Sequence, residues 1–213
     1  MSYSQFTLSN IEEIFHIQLI EKITLFSNII PLQIPNRLSD LLEYNLPLAL
    51  ANNTEKARSE MIISPILIEL KRQLNNKISL FSGLEFNVDE EKGLMGYCDF
   101  IISNSIEQLF IKSPIIMLVE AKNENIKNGI AQCIAEMIAA QLFNKKQKNL
   151  TATIYGIVTT GTNWKFLKLI SNQVEISLTE YYISELDQIL GILISIVVGN
   201  KSELEFPCAV SAC

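Results

Sequence analysis

The stretch Ile115-Ile116-Met117-Leu118-Val119-Glu120-Ala121-Lys122 decides how the rest of the chain is read. Five consecutive apolar residues, several of them β-branched, describe a buried strand. Two opposite charges then follow, one residue apart. Side chains alternate along a strand, so Glu120 and Lys122 share one side and Ala121 takes the other. A carboxylate and an ammonium at the end of a buried strand are costly to desolvate unless they pair or bind something.

The triplet by itself says little, because the chain holds three of the form Glu-x-Lys. Glu69-Leu70-Lys71 lies in a helical pattern, where positions two apart do not face each other. Glu90-Glu91-Lys92 lies in a polar turn. Only Glu120-Ala121-Lys122 continues an apolar strand. Its plainest reading is a salt bridge at a strand end; its surroundings point further.

The 213 residues suit one domain with a sizeable core, and 48% hydrophobic content argues against disorder. The longest apolar run, Ile189 to Val198, is interrupted by Gly191 and Ser195 and is too short for a bilayer. The amino terminus lacks the basic region and apolar core of a signal peptide. The expectation is a soluble, cytoplasmic protein with no membrane partner. Cys98, Cys133, Cys208 and Cys213 show no C-x-x-C spacing, so neither a zinc site nor a disulfide framework is expected. The single histidine, His16, lies in an amino-terminal helical pattern and reads as a helix-face residue. One histidine excludes H-E-x-x-H hydrolases, and no G-x-S-x-G elbow is present.

The net charge of −6 argues against a general nucleic-acid coat. The distribution is uneven. Between Met137 and Val174 there is no acidic residue, yet Lys145, Lys146, Lys148, Lys165 and Lys168 fall there, the last two beside Trp164 and Phe166. That zone reads either as solvated lysines or as a phosphate-facing surface.

Along the chain, Ser9 to about Ile20 is helical in pattern, with Asn10 as cap. Arg37 to about Ala51 is a second helix, interrupted by Pro47. Asn53-Thr54 caps a long helical pattern through Leu74, with Glu60 before the apolar run Met61-Ile62-Ile63. Pro65 falls inside it, so the helix kinks or restarts there. Leu84–Val88 and Leu94–Ser103 read as strands around the turn at residues 89–93. Asp99 stands in the second of them among aromatic and β-branched neighbours, a placement that asks for a reason. A helix over about Ile126–Asn144 carries Gln132 and Glu136 on one face. Strands over Ala152–Thr159, Trp164–Ile170 and near Gln173–Leu178 follow. Ser184 caps a final helix, Glu185–Val198, with Gly199-Asn200 as its stop.

Helix with Glu60, strand, strand with Asp99, strand with Glu120 and Lys122, helix with Gln132, strand: this order resembles the PD-(D/E)XK nuclease superfamily. Cys98 stands where the family often has proline, and Glu136 stands where its exonuclease-like branch has the tyrosine of Gln-x-x-x-Tyr. The resemblance implies an α/β (α+β) fold with a restriction-endonuclease-like core, a central mixed sheet flanked by helices. One domain would span 1–213: a helical extension over 1–52, the nuclease-like core over 53–160, added strands and a carboxy-terminal helix over 161–201, and a tail over 202–213.

The same resemblance implies a Mg²⁺-dependent nuclease acting on DNA, with Mn²⁺ as a substitute ion. Asp99, Glu120 and the carbonyl of Ala121 would be the metal ligands, a hard-oxygen set suited to Mg²⁺. Lys122 would orient or deprotonate the attacking water and hold the phosphate. Glu60 would reach a second metal or its waters, and Gln132 would hydrogen-bond a phosphate or water. Lys145, Lys146 and Lys165 are the candidate substrate contacts. Two other readings stand beside this one. A catalytically silent nuclease-fold scaffold would use the apolar run at Ile189–Val198 to form a homodimer. A structural ion pair in an unrelated domain would put Asp99 far from Glu120.

Overall fold

The structure, a computed structural model, describes residues 1–149, 151 and 153–199. The expected tail, Asn200, Cys208, Cys213 and the first residue of the Ala152–Thr159 strand lie outside the described residues. Seven strands form one mixed sheet: β1 (Gln18–Lys22), β2 (Ser79–Glu85), β3 (Tyr97–Ser103), β4 (Ile115–Ala121), β5 (Thr153–Thr159), β6 (Asn163–Ile170) and β7 (Gln173–Tyr182). Their spatial order is β1-β7-β6-β5-β4-β3-β2. β4 pairs parallel with β5 and antiparallel with β3. All seven residues of β4 are buried, as its apolar sequence demands.

Helices cover both faces. On one side lie α2 (Asn36–Asn52), α3 (Glu55–Arg58), α4 (Ser64–Gln73) and α6 (Leu186–Gly199), packed through Leu38, Ile62, Leu67, Val119, Phe166 and Leu193. On the other lie α1 (Leu8–Phe15) and α5 (Lys127–Lys146), packed through Ile11, Cys133, Met137, Leu118, Leu167 and Val174. The protein is thus an α/β fold with a seven-stranded mixed sheet between helical layers. Among the described residues no helix is long and apolar enough to cross a membrane.

Several elements depart from the sequence reading. The first helix stops at Phe15, because His16 adopts a left-handed conformation (φ 54°) and turns the chain. Gln18–Lys22 then extends and pairs parallel with β7, so the amino-terminal segment contributes a strand and not only helices. Thr7, not Asn10, caps α1; Asn10 returns the bond to the Thr7 N–H. α2 runs through Pro47 without a break. β2 begins earlier than expected, at Ser79. Eight residues of α6 are buried against this chain's own core.

The segment around Pro65 neither breaks nor restarts. α3 passes through a π-helical turn, Ser59–Ile63, directly into α4. Pro65 has no N–H for the carbonyl of Met61, four residues back. Asn45 of α2 supplies the missing donor, its Nδ2 lying 3.0 Å from that carbonyl. This turn fixes which residues of α3 face the sheet.

Candidate functional site

β3 and β4 part company where the charges begin. Their paired register extends through Phe100 and Val119 and stops there. Beyond it, the N–H of Ala121 donates to Asp99 Oδ2 at 2.7 Å, so a carboxylate takes the place of a ladder carbonyl. The next N–H, of Lys122, points the other way and donates to the Thr159 carbonyl at 2.8 Å. Asp99 and Glu120 are therefore brought together by backbone geometry, on adjacent strands at one end of the sheet. The β2–β3 ladder also skips one opposing pair, Gly83 and Asp99. Gly83 has φ +61° and no side chain, which leaves the space beside Asp99 open.

Lys122 is held close. Its Nζ donates to Glu120 Oε1 and lies 3.8 Å from Glu55 Oε2. Its stem runs against Gly129 of α5, where a β-carbon would sit 3.2 Å from Lys122 Cε and 2.6 Å from Val158 Cγ1. Glu55 stands in the first turn of α3, which Thr54 caps through Ala57 N–H at 3.1 Å. Arg58 ties this helix start to the β5–β6 turn. Its Nη1 donates to the Thr160 carbonyl at 2.9 Å and its Nη2 to Asn53 Oδ1 at 2.9 Å. Asn53 in turn donates to Glu124 at 3.1 Å.

Behind Glu120 sits a second buried acid. Glu136 is wholly inaccessible and receives one bond from Gln132 at 3.1 Å. Glu120 Oε2 and Glu136 Oε2 meet no fixed N–H or hydroxyl donor; what lies within reach of them is one another and the Asp99 carboxyl. Three carboxyl groups (Glu55, Asp99, Glu120) thus share one ammonium, and a fourth, Glu136, lies behind Glu120. The imbalance appears in their proton affinities. Burial first, then the Asp99 charge, pushes Glu120 from 4.5 up to about 8 despite Lys122. Burial and then Glu120 push Glu136 well above the carboxylate range. Burial likewise raises Asp99, against the opposing pull of the Ala121 N–H and of Lys122. Burial disfavours the Lys122 ammonium, but Glu120, Glu55 and Asp99 together outweigh it, and its affinity for the proton rises.

A cleft of about 240 Å³ opens beside Asp99, lined by Glu55, Lys56, Ser59, Glu60, Ser82 and Gly83. Glu60 reaches only its mouth. Its side chain is 60% exposed and pairs with Lys56 at 2.7 Å, and the helix acid that lies beside Lys122 is Glu55. Gln132 is near the cluster but spends its bond on Glu136. Lys145 and Lys146 are far away. Asn144, the residue before them, exchanges bonds with Ile115 at the opposite end of β4, five residues or about 17 Å from Glu120. Lys146 donates to the Val88 carbonyl at 2.7 Å. Lys165 lies in the row Glu120–Val158–Lys165 across the sheet, but it is half-buried and pairs with Glu180 at 3.4 Å. None of these three lysines faces the cleft.

Glu55 and Arg58 escaped the sequence reading. Glu55 looked like an ordinary acid in a first helical turn. Arg58 has no local signal, since its carbonyl partner lies 102 residues on.

Among the described residues no three Asp, Glu, His or Cys side chains close around a single point. Mg²⁺ does not require such a cage, because it keeps several waters and commonly takes one or two carboxylates. The close approach of the Glu120 and Asp99 carboxyls and the upward shift of both are what a site short of positive charge displays. The residues present fit a hard divalent cation. Comparison with protein-family models, with curated proteins and with solved structures finds no match to this chain.

Proposed function

We propose that the chain is a divalent-metal-dependent nuclease of the restriction-endonuclease-like, PD-(D/E)XK class, hydrolysing phosphodiester bonds of DNA in the cytoplasm. One observation supports this most: Asp99, Glu120 and Lys122 meet where β3 parts from β4. An unrelated structural ion pair gives no reason for Asp99 to come there.

Asp99, Glu120 and the Ala121 carbonyl would hold Mg²⁺, with Mn²⁺ as a substitute. Such an ion, when bound, polarises a phosphate oxygen and lowers the pKa of water. The chain's own groups do the rest. Lys122 keeps its proton because carboxylates surround it, so in the free protein it serves as a donor and not as a base. Its ammonium orients a phosphate oxygen or a water from the side of Glu120. Glu55 holds that ammonium on the cleft side. Gln132 fixes Glu136 behind Glu120, where burial and the Glu120 carboxyl raise its affinity for a proton. Gly83 leaves room for the backbone of a strand next to Asp99.

The test is cleavage of labelled DNA with Mg²⁺ or Mn²⁺ against a chelator control. Cleavage should need the metal and fall at least about 100-fold in Lys122→Ala, the scale of a lost acid–base or orienting group. Asp99→Asn should weaken Mg²⁺ binding in calorimetry. Failure of the unmodified protein to bind either ion would replace this reading with that of a silent scaffold.

A further inference from the structure

Arg58 is 8% accessible, the only buried cation among the described residues, and none of the ion pairs there includes it. A buried charge without a counter-charge is costly, and stability alone favours an apolar residue in such a place. This guanidinium instead spans two segments of the chain. Nη1 donates to the Thr160 carbonyl at 2.9 Å, while Nε and Nη2 converge on Asn53 Oδ1 at 3.3 and 2.9 Å. The two acceptors meet different edges of one plane, which suits a fixed fork of donors and not the point charge of an ammonium.

Both acceptors belong to chain that flanks Lys122. Thr160 follows Thr159, whose carbonyl takes the Lys122 N–H. The turn presenting Thr160 is braced: Gly161 N–H donates to Thr159 Oγ1 at 2.9 Å, and Trp164 Nε1 donates to the Gly161 carbonyl at 3.0 Å. Asn53 stands in the left-handed region (φ 51°) and spends its amide nitrogen on Glu124, two residues beyond Lys122. Arg58 itself sits three residues after Glu55 on α3, and Glu55 Oε2 lies 3.8 Å from Lys122 Nζ. One residue thus fastens the helix that carries Glu55 to the turn that holds the Lys122 backbone and to the loop that follows Lys122.

We propose that Arg58 is a positioning residue for the reaction: by fastening α3 to these two segments it sets Glu55 against the Lys122 ammonium, and it contacts neither the ion nor the nucleic acid. The proposal rests on the nuclease reading and adds a claim of its own, that the effect of Arg58 passes through Glu55. The test is a double-mutant cycle in metal-dependent DNA cleavage, joined to amide hydrogen exchange. Arg58→Lys keeps the charge and loses the fork. Its kcat should fall about tenfold or more, the scale of a misplaced catalytic group, with KM and Mg²⁺ affinity within about twofold of the unmodified protein. Glu55→Gln should lower kcat as well. In that background Arg58→Lys should add less than about twofold, because two residues acting on one contact are not additive. Asn53→Gly changes an exposed residue at a positive φ that glycine adopts freely, and it carries the same cycle should Arg58→Lys not fold. In both variants the amides of Lys122 and of residues 123–126 should exchange faster.

A full second loss when Arg58→Lys is added to Glu55→Gln overturns the proposal, because Arg58 would then act on its own. So does a loss carried by KM, which would make the guanidinium a substrate contact. Unchanged exchange in both variants, alongside cleavage lost in Lys122→Ala, would sink the clamp and leave the nuclease. Faster exchange in variants of a protein that never cleaves DNA would sink the nuclease reading, and with it the role in catalysis, while leaving the clamp.

Discussion

Two of the chain's Glu-x-Lys triplets bury their glutamate, and they end in opposite conditions. Glu69 is 3% accessible and fully satisfied: Arg37 meets both oxygens at 3.0 and 2.6 Å, and Gln73 adds a bond at 2.8 Å. Glu120 is 1% accessible, shares its ammonium with two other acids, Glu55 and Asp99, and turns its second oxygen toward no fixed donor. The difference begins with the backbone. On a helix, residues two apart diverge, so Lys71 leaves Glu69 and reaches Gln108. On a strand they share a side, so Lys122 reaches Glu120. The same three-letter spacing makes a structural pair in one place and an unfinished site in the other. A finished pair stabilises the fold, and an unfinished one leaves work for a ligand.

Opposite stability effects are the strongest way to break this comparison. Glu69→Gln should destabilise by about 1–2 kcal/mol, because a buried, bidentate charge pair loses its anion. Glu120→Gln should stabilise the metal-free protein by on the order of 1–3 kcal/mol, because it removes a carboxyl group held far from its preferred ionised state. Denaturant melts at neutral pH read both. Two changes of the same sign would mean that Glu120 is an ordinary salt-bridge partner.

The geometry around the two lysines differs as well. Lys71 lies along an exposed helix end, while the Lys122 stem occupies the gap left by Gly129. Gly129→Ala would place a β-carbon 2.6 Å from Val158 and 3.2 Å from Lys122. Helix and strand must separate, at a cost of about 1–3 kcal/mol. Cleavage should fall more than folding does, since the displaced group is the ammonium. A variant that melts lower but cleaves normally at low temperature would show that Lys122 needs no such seat.

The pH dependence follows from the unfinished pair. Glu120 titrates near 8 when folded and near 4.5 when unfolded. Between those values the folded state holds the proton and the unfolded state does not, so stability falls as pH rises. The slope is on the order of 1 kcal/mol per pH unit for this group. Melting temperatures should therefore decline from about pH 5 to 8, flatten in Glu120→Gln, and recover at pH 8 when Mg²⁺ is added. Recovery by Mg²⁺ in Glu120→Gln as well would remove Glu120 from the ion's ligands.

How much of this was legible in the sequence depended on whether the cause was local. β4 announced itself through five apolar residues, and the alternation rule then put Glu120 and Lys122 on one side. Asp99 stood out as an acid in a β-branched strand. β1 did not stand out, because its direction is set by a left-handed His16 and its partner β7 lies more than 150 residues away. The exchange of Glu60 for Glu55 has a subtler cause. A π turn inserts a residue into the helix, rotating what precedes it by about 100°. Glu60 drew notice by standing directly before the apolar run Met61-Ile62-Ile63, and nothing in the sequence marks the π turn that brings Glu55 to the site instead. Neither Lys145 nor Lys146 could be excluded from sequence, since only the length of α5 carries them to the far end of the sheet.

The smallest predicted effect tests that rotation. Asn45 is the only described side chain that donates to the Met61 carbonyl. Asn45→Ala removes that donor and should cost about 1 kcal/mol. Folding should survive, but the π turn loses the contact that offsets the missing Pro65 N–H. Glu55 would then shift relative to Lys122, and cleavage should fall several-fold while Mg²⁺ affinity, held by Asp99 and Glu120, stays near its original value. Pro65→Ala in the same background restores a backbone donor four residues beyond Met61 and lets the turn relax to α-helix. If the position of Glu55 depends on the π turn, that second change should recover stability and not activity. Recovery of both would show that the acid on α3 acts from either register.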